Sequence, residues 1–124
     1  MYNNLMQKIK KFLFFCLSAV YLIFTVSIAK SEVLEVSDVM LDIQILNGES
    51  VTVKGYFLNA GTMAFLYEKL GSMSFIQIDS QGADRDTRKY LLKECSTGCN
   101  NIKLKGTVFE EYGMIKMNLE SLVE

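Results

Sequence analysis

Five short runs in which apolar and polar residues alternate set the tightest limit on the fold: VTVKGYFLN (51–59), MAFLYE (63–68), MSFIQID (73–79), IKLKGTVF (102–109) and MIKMNLE (114–120). Alternation with period two puts every second side chain on one face of an extended chain, so each run reads as a strand with one buried face. All eight glycines fall after position 47 and there is no proline, which leaves glycine to supply the turns. Between the third and fourth runs, DRDTRKYLLKEC (84–95) has acids at its start, a lysine near its end, and Thr87, Leu91 and Cys95 spaced four apart. That pattern predicts a short helix beginning near Asp84 or Asp86 and ended by Gly98.

Ahead of the first run, DVMLDIQILNG (38–48) supports two readings. Asn47-Gly48 is a hairpin signal that would make 41–46 a strand. Val39, Ile43 and Leu46 also share one helical face, with Ser37 or Asp38 as N-cap, and this pattern favours a short helix.

The first third of the chain differs. FLFFCLSAVYLIFTV (12–26) follows Lys8, Lys10 and Lys11 and precedes SIAKSE, in which Ser27 and Ala29 are small residues placed for a cut after Ala29. This is the layout of a signal peptide, with a second cleavage point after Ser31. An uncleaved membrane anchor is the alternative, since 12–29 reaches the roughly 18 apolar positions of a spanning helix. Cys16 sits behind Phe14 and Phe15 rather than after small residues, which argues against lipidation. The expected organisation is a signal peptide over 1–29, a linker over 30–37 and one domain over 38–124. Either fate of the segment places that domain outside the cytoplasm, in the bacterial periplasm or tethered facing it. Removal of 1–29 reduces 13 basic residues to 10 against 14 acidic ones, a net charge of −4. Such a balance weighs against global binding of nucleic acid or an anionic membrane, because each phosphate contact asks for a cation.

Three strands, a helix and two strands in under 100 residues is the layout of the OB-fold, a five-stranded Greek-key barrel, here with a short N-terminal helical turn. VTVKG ending at Gly55 and IKLKG ending at Gly106 place a glycine where a strand must bend to close such a barrel. These two runs, with the helix between them, resemble the OB-fold modules of anticodon-binding-like domains and of small secreted bacterial OB-fold proteins, over 38–123. The resemblance implies the fold and, as one reading, binding of single-stranded nucleic acid or nucleotides. It does not by itself imply an activity.

Catalysis finds no support in the residues. Histidine is absent, and no nucleophile elbow, phosphate-cradling loop or spaced carboxylate pair is present. Asp84 and Asp86 are accounted for as acids in a first helical turn. Cys95 and Cys99 lack the two further soft ligands that zinc requires, and they are not a Cys-x-x-Cys redox pair, so no metal or other cofactor is expected. In an exported domain the two cysteines are expected to form a structural disulfide.

Binding is what remains. If Leu66, Ile76 and Ile78 face inward, Met63, Phe65, Tyr67, Met73 and Phe75 form an outward apolar stripe on the second and third strands, the face OB-folds commonly use. The opposite register buries the aromatics, and their bulk favours that outcome. Lys54, Lys103, Lys105 and Lys116 lie on strands that neighbour one another in such a barrel, where they form either a basic patch or an ordinary solvated face. The candidate surface is thus Tyr56, Phe65, Tyr67, Phe75, Lys54, Lys103, Lys105 and Lys116. The function expected is a non-catalytic module for a small ligand, a peptide or an envelope protein. Single-stranded nucleic-acid binding and a membrane-tethered structural subunit are the alternatives.

Overall fold

The alternating runs do become strands. A computed structural model describes residues 32–124; the expected signal peptide, its cut after Ala29 and Cys16 lie outside them. Elements follow in the order β1 (Val33–Glu35), α1 (Val36–Leu41), α2 (Ile43–Leu46), β2 (Ser50–Ala60), β3 (Met63–Tyr67), β4 (Phe75–Asp79), α3 (Arg85–Glu94), β5 (Cys99–Glu111) and β6 (Met114–Val123). The unit is mainly β, with six strands in one mixed sheet.

Six strands rather than five is a correction, and the extra one comes from the stretch expected as a linker. Val33, Leu34 and Glu35 pair in parallel with Thr52, Val53 and Lys54 of β2. Three residues are too few to show alternation, so only the neighbour's unpaired backbone groups make them a strand. The helical reading of 38–46 holds, split into α1 and α2 and starting earlier, with Glu35 as N-cap. Asp38 is not the cap; it lies one turn inside, and its Oδ2 accepts the Glu35 N–H at 2.9 Å. Asn47-Gly48 makes no hairpin. Gly48, at φ +84°, instead donates its N–H to the Val108 carbonyl at 2.7 Å.

Strand pairing runs from β2 to β3, β4, β6, β5 and back to β2, so five strands close on themselves while β1 lies outside the ring. The β4–β6 ladder is parallel and the other four are antiparallel. At 11 residues β2 is long enough for three neighbours: β5 along its first half, with β1 opposite, and β3 along its second. The expected bends fall where the ladders shift register, between Gly55 and Phe57 and between Lys105 and Gly106.

Val53, Phe57, Leu66, Ile76, Leu104, Val108, Met117 and Leu119 fill the interior. Val36, Val39 and Ile43 from α1 and α2 join this core beside the starts of β4 and β6, where Met40 meets Phe75, Met114 and Ile115 around one groove. The opposite end belongs to α3. Asp84 is its N-cap, accepting the Thr87 N–H at 2.8 Å, and buried Thr87 in turn accepts the Leu122 N–H at 2.9 Å. Thr87, Leu91 and Cys95 are the buried positions, as their spacing predicts. Among the described residues, no helix is long and apolar enough to cross a membrane.

Candidate binding face

In β3 and β4 the alternation resolves in one direction: Ala64, Leu66, Ile76 and Ile78 are buried, and Phe65, Tyr67 and Phe75 stand half-buried on the outer surface. The interior register favoured by aromatic bulk is therefore corrected. A ring of five strands encloses little space, and branched aliphatic side chains plus Met117 and Phe57 already fill it, so further rings are excluded by volume.

Outside, the three rings support one another. Phe65 meets Phe75 edge-on at a centroid separation of 5.5 Å, and Tyr67 lies 5.7 Å from Phe75 and 6.1 Å from Phe65. Such pairs are worth about 0.5–1.5 kcal/mol beyond their buried area. Pairing places them in rows: Tyr56 is opposite Tyr67, which is opposite Phe75, while Leu58 is opposite Phe65, which is opposite Gln77. Met63 extends the Phe65 side at 43% exposure, and Met73, expected as a strand residue, lies in the loop before β4 at 92% exposure.

A groove of ≈ 460 Å³ opens beside the rings, lined by Tyr56, Leu58, Tyr67, Leu70, Met73 and Phe75 together with Gly71 and Ser72, and among the described residues no charged side chain borders it. A smaller one of ≈ 210 Å³ shares Met73 and Phe75 with it and reaches Met40 and Met114. Leu58, Leu70 and Met40 belong to this surface although sequence reasoning did not select them. Leu58 carried a signal, since it follows Tyr56 by two residues in the same strand. Leu70 and Met40 come from a loop and a helix, where alternation gives none.

The four lysines do not gather into one basic patch. Lys54 is directly opposite Lys103, and Lys105 is opposite Thr52, so three gather on β2 and β5. Lys116 stands apart, between Gln77 and Phe109, with its Nζ 3.5 Å from Glu111 Oε1. Glu35 on β1 lies opposite Lys54, yet Lys116–Glu111 is the ion pair found among the described residues.

Cys95 and Cys99 are joined by a disulfide with a Cα–Cα distance of 5.0 Å. Cys95 is wholly buried, and Cys99 opens β5 opposite Phe57. Gly98, inside the bridged turn, has φ +110°, and a Cβ there would overlap the Tyr56 hydroxyl. The bridge thus adjoins the aromatic surface. Among the described residues no three His, Cys, Asp or Glu side chains converge on a point where a metal ion would sit.

No protein-family model matches the sequence, and no curated protein matches it. Solved structures of asparaginyl-tRNA synthetase from Pyrococcus horikoshii, one complexed with asparaginyl-adenylate, are similar at 16% identity over 64% of this chain, with TM-scores of 0.41 and 0.42. The chain spans 19 to 20% of the length of those synthetase chains, and at these scores the likeness carries no functional argument.

Proposed function

We propose that residues 32–124 form an OB-fold module, exported and non-catalytic, that binds an apolar small ligand, a peptide or an envelope protein across the outer face of β3 and β4. Support for the fold comes from the closed pairing order and from α3 lying between the third and fourth strands of the ring. β3 and β4 are the second and third strands of that ring, the face such folds commonly use. The observation that carries the reading is the outward cluster of Phe65, Tyr67 and Phe75 beside a groove with no charged lining among the described residues. Half-buried rings with their faces available offer contact area at small entropic cost. Export rests on the sequence of 1–29.

A photoreactive phenylalanine analogue in place of Phe65, and separately of Arg85 on α3, tests the site in cells. Adducts are expected from position 65 and not from 85, and Phe75→Ser is expected to reduce their yield about tenfold, equivalent to ~1.4 kcal/mol. Equal adducts from both positions, or none from 65, reject the face.

Single-stranded nucleic-acid binding is the second reading, and a specific observation favours it: outward Lys54 lies two residues from Tyr56 and faces Lys103. Three lysines on phosphates would give an oligonucleotide affinity falling with salt at a log–log slope of about −2. The acidic balance of the domain weighs against it, and absence of binding at low salt would dismiss it.

A further inference from the structure

We infer that the Cys95–Cys99 bridge positions Tyr56 as one wall of the aromatic groove, so that the oxidation state of the bridge sets the shape of the binding face. This deepens the reading of the β3–β4 surface and rests on it. Tyr56 is the aromatic that β2 contributes: it stands opposite Tyr67 and lines the same groove as Leu58 and Phe75. On its other side the β2–β5 ladder is interrupted. Gly55 is opposite Ile102 and Phe57 is opposite Cys99, so Asn100 and Asn101 have no single partner across from Tyr56, and Asn101 takes φ +55°. What meets the ring from that side is the bridged turn. A Cβ on Gly98 would overlap the Tyr56 hydroxyl and lie 2.7 Å from its Cζ.

The turn is closed covalently by the bridge and by one backbone hydrogen bond within it. Cys95 is wholly buried in the core, Cys99 starts β5, and inside the ring the Gly98 N–H reaches the Cys95 carbonyl at 3.2 Å. Ser96 and Thr97 are exposed and anchor nothing. Cleaving the bridge leaves Cys95 in the core and Cys99 at the start of β5, with one backbone hydrogen bond in place of the covalent closure. Gly98 is then expected to draw back from the Tyr56 ring, which loses the surface that holds it toward Tyr67. The cleavage is ordinary thiol–disulfide exchange with an external dithiol. Its thiolate attacks the Sγ of the more accessible Cys99, and Cys95 leaves as a thiolate and takes up a proton. The second thiol of the reagent then closes a cyclic disulfide and releases Cys99, so the protein gains two thiols as the reagent is oxidised.

The test follows ring-labelled tyrosines by NMR in the unliganded protein, at whatever N-terminus it carries when recovered from its host, before and after reduction with dithiothreitol. Tyr56 is assigned through Tyr56→Phe, and thiols are counted by alkylation and mass. With both thiols free, the Tyr56 ring is expected to shift and to lose its Overhauser contact to Gly98, while Tyr112, which is 99% exposed, stays in place and the Leu66 and Ile76 amides keep their exchange protection. Gly98→Ala in the oxidised protein places a methyl group against the Tyr56 hydroxyl and also strains a residue at φ +110°, and is expected to displace the same ring while the thiol count stays at zero for Cys95 and Cys99. An unchanged Tyr56–Gly98 contact after reduction, or an unmoved ring in Gly98→Ala, overturns the inference. Loss of core protection together with the contact also overturns it, since the bridge would then serve the fold as a whole. No ligand enters these measurements, so a failure of the β3–β4 binding face is read separately by the cross-linking experiment.

Discussion

At the residue scale, the two bend glycines show how a visible sequence feature acquires its reason from packing. Gly55 and Gly106 are legible as bends because each ends an alternating run. What requires glycine is the neighbour: a Cβ on Gly106 would overlap the Asn118 carbonyl oxygen and lie 2.7 Å from Met117 Cγ, and one on Gly55 would overlap the Tyr67 carbonyl oxygen. Neither contact yields easily, since backbone and a buried Met117 stand in the way. Gly106→Ala is expected to cost about 1–3 kcal/mol by overpacking, seen as a lower urea midpoint with unchanged slope. An unchanged midpoint would mean that the β5–β6 pair separates freely at this point. Tyr56 and Gly98 are the contrary case, because nothing in either residue's local sequence announces their contact.

At the scale of elements, α3 ends at Glu94 with Cys95 as C-cap, short of the expected Gly98, which lies beyond it in the bridged turn. Its start and buried face were predictable, since N-cap and buried spacing are local signals. Its attachment to β6 was not. Thr87 reads as one of three buried positions, but its hydroxyl also accepts the Leu122 N–H at 2.9 Å where β6 has left β4. Thr87→Val keeps the shape and removes the acceptor, stranding that amide, and is expected to destabilise by about 1–3 kcal/mol. Faster amide exchange at Leu122, with the helix retained by circular dichroism, is the accompanying signature; unaltered stability would show that another group takes the amide. β1 was missed for the same reason, as its partner lies in β2 and not in its own sequence.

For the whole molecule, closure decides which side of each strand is interior and hence what the surface offers. Leu66 and Phe65 are sequence neighbours with opposite fates, one wholly buried and one outward against Phe75. Leu66→Ala is expected to cost about 2–5 kcal/mol through transfer and cavity terms. Phe65→Ala is expected to cost less than this, since only the half-buried part of the ring is lost together with about 0.5–1.5 kcal/mol from its aromatic partners, while removing much of the proposed binding face. Denaturation of both variants distinguishes the registers, since equal losses would contradict an outward Phe65. Closure also separates Lys116 from the other lysines, which adjacency of strands alone does not reveal: it lies four residues along the β5–β6 ladder from Lys105.

The sequence by itself determined the strand segments, the helix before β5, the disulfide partners and the net acidity, because alternation, capping, spacing and charge are read from residues near one another. The tertiary structure decided the face that Phe65, Tyr67 and Phe75 occupy, the strand at 33–35, the three-lysine grouping and the seat of Tyr56 on Gly98. Alternation fixes two faces without saying which is inside. Only the limited volume of a closed ring, filled first by aliphatic side chains, makes that choice.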